Sequence, residues 1–417
     1  MVSVRCLVAA GFTYPEQMVP RPGQARSWRT STAFQGFSFD RHEWSGAVAD
    51  LGVLVPIAVA LIVSNGLAPT AVLLPPALLY LVSAFRYRLP VPVQPLKAFG
   101  AIAIALGLSV DEIAAGALLM GGVFVVLGWS GVLDKVARVF PTSVIRGVQI
   151  TVGLLFLKVA WGLVSDPPSA FAEPLFTGPW LVVAGVGVAL VAWWGRARGL
   201  GLMVVAVGLA AAVTLGWSGI ELGPSSMPLP SLSVEAFTAA ATALVLPQLP
   251  LTFANSCLAP ADAARTYFGP EAARRVTPSR LAVSLGAADL AAGAIGGMPV
   301  CHGAGGLTAH RAFGARTGGA PLIMGSALLV LAVGFGAGLA SVLTHFPLAV
   351  LAGLLAVAGV LHLGLARDLH RARDIVVALV VAGLGVVGNL AVGLLVGLAI
   401  AWLVGRRSKV DAPGHAS

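Results

Sequence analysis

Charged residues are scarce in this chain, because Asp, Glu, Lys and Arg together make up only 10% of its 417 residues. A soluble domain carries about 25%, so the composition excludes a soluble globular protein. Hydrophobic residues make up 58% of the chain, and the mean hydropathy is +0.91. The sequence therefore predicts an integral membrane protein, built as one large bundle of helices in contact with the lipid bilayer.

Cysteine is also rare. The cysteines Cys6, Cys257 and Cys301 form no Cys-x-x-Cys pair and no Cys/His metal-ligand spacing, so we expect no disulfide framework, no metal site and no cofactor. The net charge of +9 would suggest nucleic acid in a soluble protein. Here the basic residues fall in short loops, where the excess of Lys and Arg in cytoplasmic loops explains them better. We expect no nucleic-acid partner.

Long hydrophobic runs recur along the chain, and a spanning helix needs about 20 mostly apolar residues. Continuous spans are predicted near 44–64, 68–85, 112–132, 143–164, 179–195, 200–217, 236–257, 279–296, 320–341, 346–363, 374–388 and 390–405. Two segments interrupted by Pro and Gly, 90–108 and 298–314, are predicted to be broken spans 3 and 10. The fold class is thus an all-α polytopic membrane protein with fourteen transmembrane segments.

The charges lie on alternate connections between these spans. If the N-terminus is cytoplasmic, the inward connections hold Arg86, Arg88, Lys135, Arg138, Arg146, Arg196, Arg198, Arg265, Arg274, Arg275, Arg280, Arg311, Arg316, Arg367, Arg371 and Arg373, and the C-terminal end holds Arg406, Arg407 and Lys409. The outward connections hold Asp111, Glu112, Asp166, Glu173, Glu221 and Glu235. This segregation predicts a multi-pass protein of the cell (inner) membrane with both termini in the cytoplasm.

The chain divides into two halves of seven spans each. We expect a disordered cytoplasmic tail at 1–40, a first repeat at 41–218, a linker at 219–235, a second repeat at 236–405 and a short cytoplasmic tail at 406–417. An odd number of spans per half makes the second half enter the membrane from the opposite side. The layout therefore predicts a 7+7 inverted repeat, in which matched interrupted segments indicate the binding site of a transporter.

Each broken segment starts extended, because Pro stops a helix and biases its predecessor to extended backbone, and then enters a short helix, which we expect to begin at His302 in the second segment. Two facing helix N-termini favour a small anion, and glycine lets backbone approach it closely. The alternative is that Pro and Gly only kink packed helices. The candidate substrate-binding residues are Gln94, Lys97, Gln248, Asn255, Cys301, His302, Gly303 and Gly305.

Several polar residues in the spans have both a functional and a structural interpretation. Lys97 supplies the anion's counter-charge, or it snorkels or pairs with Asp50 or Asp289. Asp50, His302 and Asp289 are candidates for coupling to a proton or another cation. We favour a structural role for Asp289, as an acceptor for a broken segment. Lys158 either contributes to the site or reaches the outer interface.

The amides Gln248 and Asn255 lie in span 8, where they can donate hydrogen bonds to an oxyanion without adding negative charge. The run His302-Gly303-Ala304-Gly305-Gly306 is similar to the oxyanion loops of hydrolases. No Gly-x-Ser-x-Gly nucleophile motif accompanies it, and Cys301 and His302 are adjacent in sequence and do not form a catalytic pair. We therefore expect that the protein is not an enzyme.

Four motifs give the chain a family resemblance. They are Ala49-Asp50-Leu51-Gly52 with Pro56, Pro92-Val93-Gln94-Pro95-Leu96-Lys97-Ala98, Leu246-Pro247-Gln248-Leu249-Pro250-Leu251-Thr252 with Asn255-Ser256, and Met298-Pro299-Val300-Cys301-His302-Gly303-Ala304-Gly305-Gly306-Leu307 followed by Phe313-Gly314-Ala315-Arg316. Together they resemble the molybdate transporter family, which is related to the sulfate permeases. The resemblance covers about 40–405 and implies the fold of sulfate and uracil permeases, with spans 1–4 and 8–11 as a core domain, spans 5–7 and 12–14 as a gate, and substrate between spans 3 and 10.

Two departures refine this resemblance. Sulfate permeases carry a cytoplasmic STAS domain after the last span, and we expect none here. Uracil-type permeases place acidic residues in spans 8 and 10, where this chain offers Gln248 and His302. The resemblance implies a secondary active transporter for a tetrahedral oxyanion, molybdate first and sulfate as the close alternative. A proton-coupled nucleobase symporter and an anion channel remain rivals. The coupling ion and assembly as a homodimer are left open.

Overall fold

The computed structural model describes residues 37–133, 141–172, 178–194, 200–216 and 221–410. The predicted N-terminal tail up to residue 36, residues 411–417 of the C-terminal tail and residues 217–220, where the first repeat is predicted to meet the linker, lie outside this part. Lys135, Arg138, Glu173, Arg196 and Arg198, which supported the predicted orientation, lie outside it too.

The first half is a succession of helices with one interruption. The helices are α1 (Arg41–Ala47), which a 3-10 turn (Val48–Asp50) joins to α2 (Leu51–Val63), then α3 (Pro69–Tyr87), α4 (Lys97–Leu106), α5 (Val110–Ser130), α6 (Thr142–Ser165), α7 (Pro179–Trp194) and α8 (Leu200–Leu215). A two-residue strand, β1 (Gln94–Pro95), precedes α4. The predicted first broken segment is therefore an extended stretch followed by a short helix.

The second half also contains one short strand between its helices. The helices are α9 (Val234–Ala240), α10 (Leu246–Leu251), α11 (Ala259–Phe268), α12 (Pro278–Ala294), α13 (Ala304–Ala312), α14 (Gly319–Gly334), α15 (Gly336–Thr344), α16 (Leu348–Gly364), α17 (Ala372–Val387) and α18 (Leu390–Val410). The strand β2 (Val300–Cys301) precedes α13. Short 3-10 turns lie at Ala272–Arg275 and Leu365–Asp368.

Two predicted boundaries were wrong. The span expected at 236–257 continues to Phe268, through π-helical turns at Ala241–Val245 and Thr252–Leu258 that accommodate two prolines without N–H groups. The span expected at 320–341 is two helices, α14 and α15, with a bend of 91° between them. At the bend, a Cβ on Gly336 would lie 2.1 Å from Thr70 Oγ1. The close approach of α3 therefore requires glycine there.

The predicted disordered tail is also too long by a few residues. The Ser38 backbone N–H donates to Thr317 Oγ1 (3.0 Å), and Asp40 is the N-cap of α1. The backbone N–H groups of Glu43 and His42 donate to the Asp40 carboxylate and hold its pKa below the usual range. Residues 38–40, which the predicted tail included, therefore make specific contacts just before α1.

The described helices form a polytopic bundle. When helices that continue through a 3-10 or π-helical turn are counted as one, six of them are long and apolar enough to cross a membrane. The bent pair α14–α15 makes a seventh if it counts as one span. Other apolar helices, such as α4, are shorter. The core is a continuous cluster of aliphatic and aromatic side chains, and Tyr80, Phe99 and Phe124 are almost completely buried in it. Exposed Trp129, Trp180 and other large apolar side chains face outward, as expected for a surface in lipid.

Candidate anion site at two paired helix ends

The two interrupted segments meet in the middle of the fold. Strands β1 and β2 pair antiparallel, with Gln94 opposite Cys301 and Pro95 opposite Val300. The Leu96 N–H donates to the Pro299 carbonyl oxygen (3.2 Å) and extends the pairing by one residue. This small ladder satisfies backbone groups that could not face lipid, and it brings the starts of α4 and α13 together.

Neither of these helices is capped by the side chain of its own N-cap residue. Leu96 and Gly303 are the N-cap residues of α4 and α13, and both are extended with no capping side chain. The first N–H groups of a helix have no partner inside the helix, and they carry a partial positive charge. The Phe99 N–H of α4 donates to Gln248 Oε1 (2.9 Å). The remaining first-turn N–H groups give the region the electrostatics of an anion site.

A chain of hydrogen bonds connects two formally charged side chains, Lys97 and Asp50, through Gln94. Lys97, which is half-buried, donates to Gln94 Oε1 (2.6 Å), and Gln94 Nε2 donates to Asp50 Oδ1 (2.5 Å). Lys97 makes no ion pair within the described residues. It is thus not neutralised directly by Asp50 or Asp289, the structural alternatives considered from the sequence.

The glycines of α13 differ in their surroundings. A Cβ on Gly303 would lie 2.2 Å from Gln94 Oε1, and one on Gly306 would lie 2.7 Å from Asp50 Oδ1. Gly305 is exposed, and a Cβ there would meet nothing within 4 Å. Neither Gly303 (φ −93°) nor the helical Gly305 has positive φ. Glycine is required at Gly303 and Gly306 because the side chains of Gln94 and Asp50 approach their backbone closely. A left-handed backbone conformation is not the reason.

His302 has a hydrogen-bond partner at each ring nitrogen. Its side chain is completely buried, with Nδ1 2.9 Å from the Pro92 carbonyl oxygen and Nε2 2.8 Å from Ser284 Oγ. Because the carbonyl can only accept, Nδ1 is the donor in that bond. Both ring nitrogens have partners within the protein, so His302 holds β2 against the preceding segments and offers no free nitrogen to an anion.

Asp289 has the structural contact favoured from the sequence. Its Oδ1 accepts the Val300 N–H of β2 (2.7 Å), while Oδ2 is buried without a partner. The carboxylate therefore anchors the second extended segment, which agrees with the structural role as an acceptor. Its role as a coupling residue stays a prediction.

The remaining candidates differ in their surroundings. Both amide atoms of Gln248 are engaged, because Oε1 caps α4 and Nε2 donates to Thr252 Oγ1 (3.0 Å). Gln248 therefore orients α4, and because its amide nitrogen carries a second N–H, its contact with the anion stays a prediction. Cys301 is buried, with Sγ 3.9 Å from the Pro95 carbonyl oxygen, and Asn255 is half-buried in the π-helical turn of the long eighth span. Lys158 is exposed on α6.

Sequence reasoning missed two residues of this network. His310 Nε2 lies 2.8 Å from Asp50 Oδ2, and the Tyr80 hydroxyl donates to the same oxygen (2.7 Å). Both side chains are completely buried. The signal for His310 was its place in a short broken helix, four residues after Gly306. Residues at this spacing share a helix face, and both of these face Asp50.

This chain is similar to known proteins both in sequence and in fold. A family model described as "Molybdate transporter of MFS superfamily" matches residues 42–156 and 240–361. Molybdate transporter 1 of Arabidopsis thaliana is 31% identical over 396 residues, covering 85% of this chain and 86% of the relative. The transmembrane domain of a cyanobacterial bicarbonate transporter, BicA, superposes with a TM-score of 0.61 at 16% identity, over 87% of this chain and 97% of that one. The murine anion transporter Slc26a9, in its inward-facing state, superposes with a TM-score of 0.62 at 16% identity, over 92% of this chain and 74% of that one.

The fold is thus that of an SLC26-like polytopic membrane protein, and the matched family is one of transporters and not of enzymes. The chain belongs to the molybdate transporter family, which confirms the resemblance carried by its four motifs. It is a membrane anion transporter.

Proposed function

We propose that this protein is a secondary active transporter that moves molybdate across the cell membrane by alternating access. The observation that carries the proposal is the antiparallel pairing of β1 and β2, which brings together Lys97 and the starts of two helices whose own N-cap residues provide no capping side chain. Its family membership supports molybdate as the substrate. Sulfate, a tetrahedral dianion of smaller size, is the alternative.

The proposed architecture is a 7+7 inverted repeat with broken spans 3 and 10, both termini cytoplasmic, and core and gate domains formed by spans 1–4 with 8–11 and by spans 5–7 with 12–14. The repeated order of elements supports it. The same offset in sequence separates Gln94 from Cys301 and the N-cap Leu96 from the N-cap Gly303. The two halves are therefore in matching register where they meet.

In the proposed binding mode the oxyanion accepts hydrogen bonds from first-turn N–H groups of α4 and α13 and is balanced by Lys97. Gln94 uses its oxygen to hold Lys97 and its amide nitrogen to bond Asp50, so its role is to position Lys97. Asn255 and Cys301 line the same region. Where a nucleobase permease would place acidic side chains in spans 8 and 10, this chain has Gln248, which carries no negative charge, and His302, whose two ring nitrogens already have partners.

The proposal is tested by uptake of labelled molybdate into proteoliposomes that contain the purified protein. Saturable uptake, inhibited by tungstate and to a smaller degree by sulfate, is expected. Uracil is the competitor that separates a nucleobase symporter, and single-channel recording separates a channel. Inhibition by uracil, or unsaturable flux with unitary conductance, would contradict the proposal. Empty liposomes and protein with Lys97→Met are the matched controls.

A further inference from the structure

Two buried histidines lie at the second broken segment, and their partners differ. The ring nitrogens of His302 face a carbonyl oxygen and a hydroxyl group. A buried positive charge requires an anionic partner to offset the loss of hydration, and neither of these groups is one. His302 is therefore suited to remain neutral while the site changes state.

His310 has the opposite environment. Its Nε2 lies 2.8 Å from the Asp50 carboxylate, and the two side chains are 0% and 1% exposed. Its Nδ1 is buried without any hydrogen-bond partner. The two protonation states of the ring differ by one proton on Nδ1. The Asp50 carboxylate is present to stabilise the charged state, and among the described residues Nδ1 has no hydrogen-bond partner that would fix the ring in one state.

Of the other ionisable groups near His310, Asp50 is the one that forms a hydrogen bond with its ring. The elements packed against α13 carry the buried or half-buried side chains Glu43, Asp50, Tyr80, Tyr87, Cys257, Asp262 and Tyr267. Of these, Asp50 bonds to the ring of His310, and Tyr80 stacks on it with 6.4 Å between ring centroids. The Glu43 carboxylate is occupied by backbone N–H groups, for example that of Thr317 (2.9 Å).

The pair is connected to the candidate anion site through two hydrogen bonds. Asp50 accepts from Gln94 Nε2, which leaves the Gln94 oxygen to accept from Lys97. With His310 neutral, the charges of Asp50 and Lys97 cancel. With His310 protonated, the group of three carries one net positive charge, and it attracts a dianion more strongly.

We propose that His310 is the residue that takes up a proton when the oxyanion binds, through its ion pair with Asp50. The inference rests on the proposed function and assigns its coupling to a histidine that the sequence analysis did not consider, in place of His302. Binding linkage is reciprocal. If protonated His310 strengthens anion binding, the bound anion strengthens protonation of His310, and the proton comes from solvent.

The test is calorimetric titration of the purified protein with molybdate, at mildly alkaline pH, in buffers of different ionisation enthalpy. The dependence of the measured heat on buffer gives the number of protons taken up per anion bound. Wild type is expected to take up a measurable fraction of a proton, and its affinity is expected to fall as the pH rises. His310→Gln is expected to take up none and to bind with an affinity that does not change with pH.

Two further variants make the result decisive. Asp50→Asn removes the carboxylate that stabilises the protonated ring, so it is also expected to abolish proton uptake even if His310→Gln folds poorly. His345→Gln, the same substitution in a histidine that bonds to Ser341 and lies outside the site, controls for loss of any histidine and is expected to keep proton uptake.

The outcomes separate the two proposals. If wild type binds molybdate without taking up protons, or if His310→Gln takes up as many as wild type, the assignment of His310 is wrong while the proposed function stands. If wild type shows no heat of molybdate binding and no thermal stabilisation by molybdate at any pH, the proposed function itself fails.

Discussion

Gly303→Ala tests the geometry of the site with a single methyl group. The new Cβ would lie 2.2 Å from Gln94 Oε1 and 3.6 Å from Lys97 Nζ, so the Gln94 amide must move. The backbone at Gly303 has φ −93° and accepts alanine without strain, which leaves the contact with Gln94 as the cause of any effect. Gln94 then loses its bond from Lys97, its bond to Asp50, or both.

Each of these bonds involves a charged group and contributes about 1.5–3 kcal/mol. Loss of one from the bound state weakens molybdate binding about tenfold to hundredfold. The assay is the dissociation constant from calorimetry, together with the rise in Tm caused by saturating molybdate. Gly187→Ala, at an exposed glycine of α7 with nothing within 4 Å of its Cβ, is the matched control and should bind normally.

A double-mutant cycle locates the cause of the effect. With Gln94→Ala the obstructing amide is gone, so adding Gly303→Ala to that variant should cost little further affinity. A Gly303→Ala protein with wild-type affinity would refute the geometry. Equal losses from Gly303→Ala in the presence and absence of the Gln94 side chain would mean that the glycine serves close helix packing instead.

The remaining predictions concern charge. Lys97→Met should weaken molybdate binding about tenfold to hundredfold with little change in ligand-free Tm, because it removes a charge-assisted bond; unchanged affinity would exclude Lys97 from the site. Asp289→Asn keeps an acceptor for the N–H of β2 and should leave the pH profile of uptake unchanged. Glu43→Gln should lower the Tm and leave molybdate affinity unchanged, because the carboxylate caps the turn before α14. Arg146→Met leaves Asp368, which Arg146 binds in a bidentate ion pair, with a largely buried unpaired charge, and should lower the Tm more than the double variant with Asp368→Leu.

The broken segments could be predicted from sequence because their signals are local. Pro92 and Pro95 in one segment, and Pro299 with the following glycines in the other, prevent helix directly at those positions. The bend between α14 and α15 had no comparable signal. It depends on how closely α3 approaches Gly336, which is a property of the packed structure.

Which side chain faces Asp50 could not be predicted for a related reason. From the sequence, the second short helix was expected to begin at His302. In the structure, α13 begins at Ala304 after the N-cap Gly303. A shift of two residues rotates the expected faces of a helix by about 200°. His302 consequently lies in the extended segment, while Gly306 and His310 face the carboxylate.

The two broken segments contribute different properties to the proposed site. At equivalent positions the first carries Gln94 and Lys97, and the second carries Cys301 and Ala304. The first half thus supplies the fixed charge and the amide that orients it. The second supplies glycines that let the two backbones approach, together with the buried histidine beside Asp50. An anion held between them would contact both halves at once, which is the condition for its binding to depend on how the two halves are arranged.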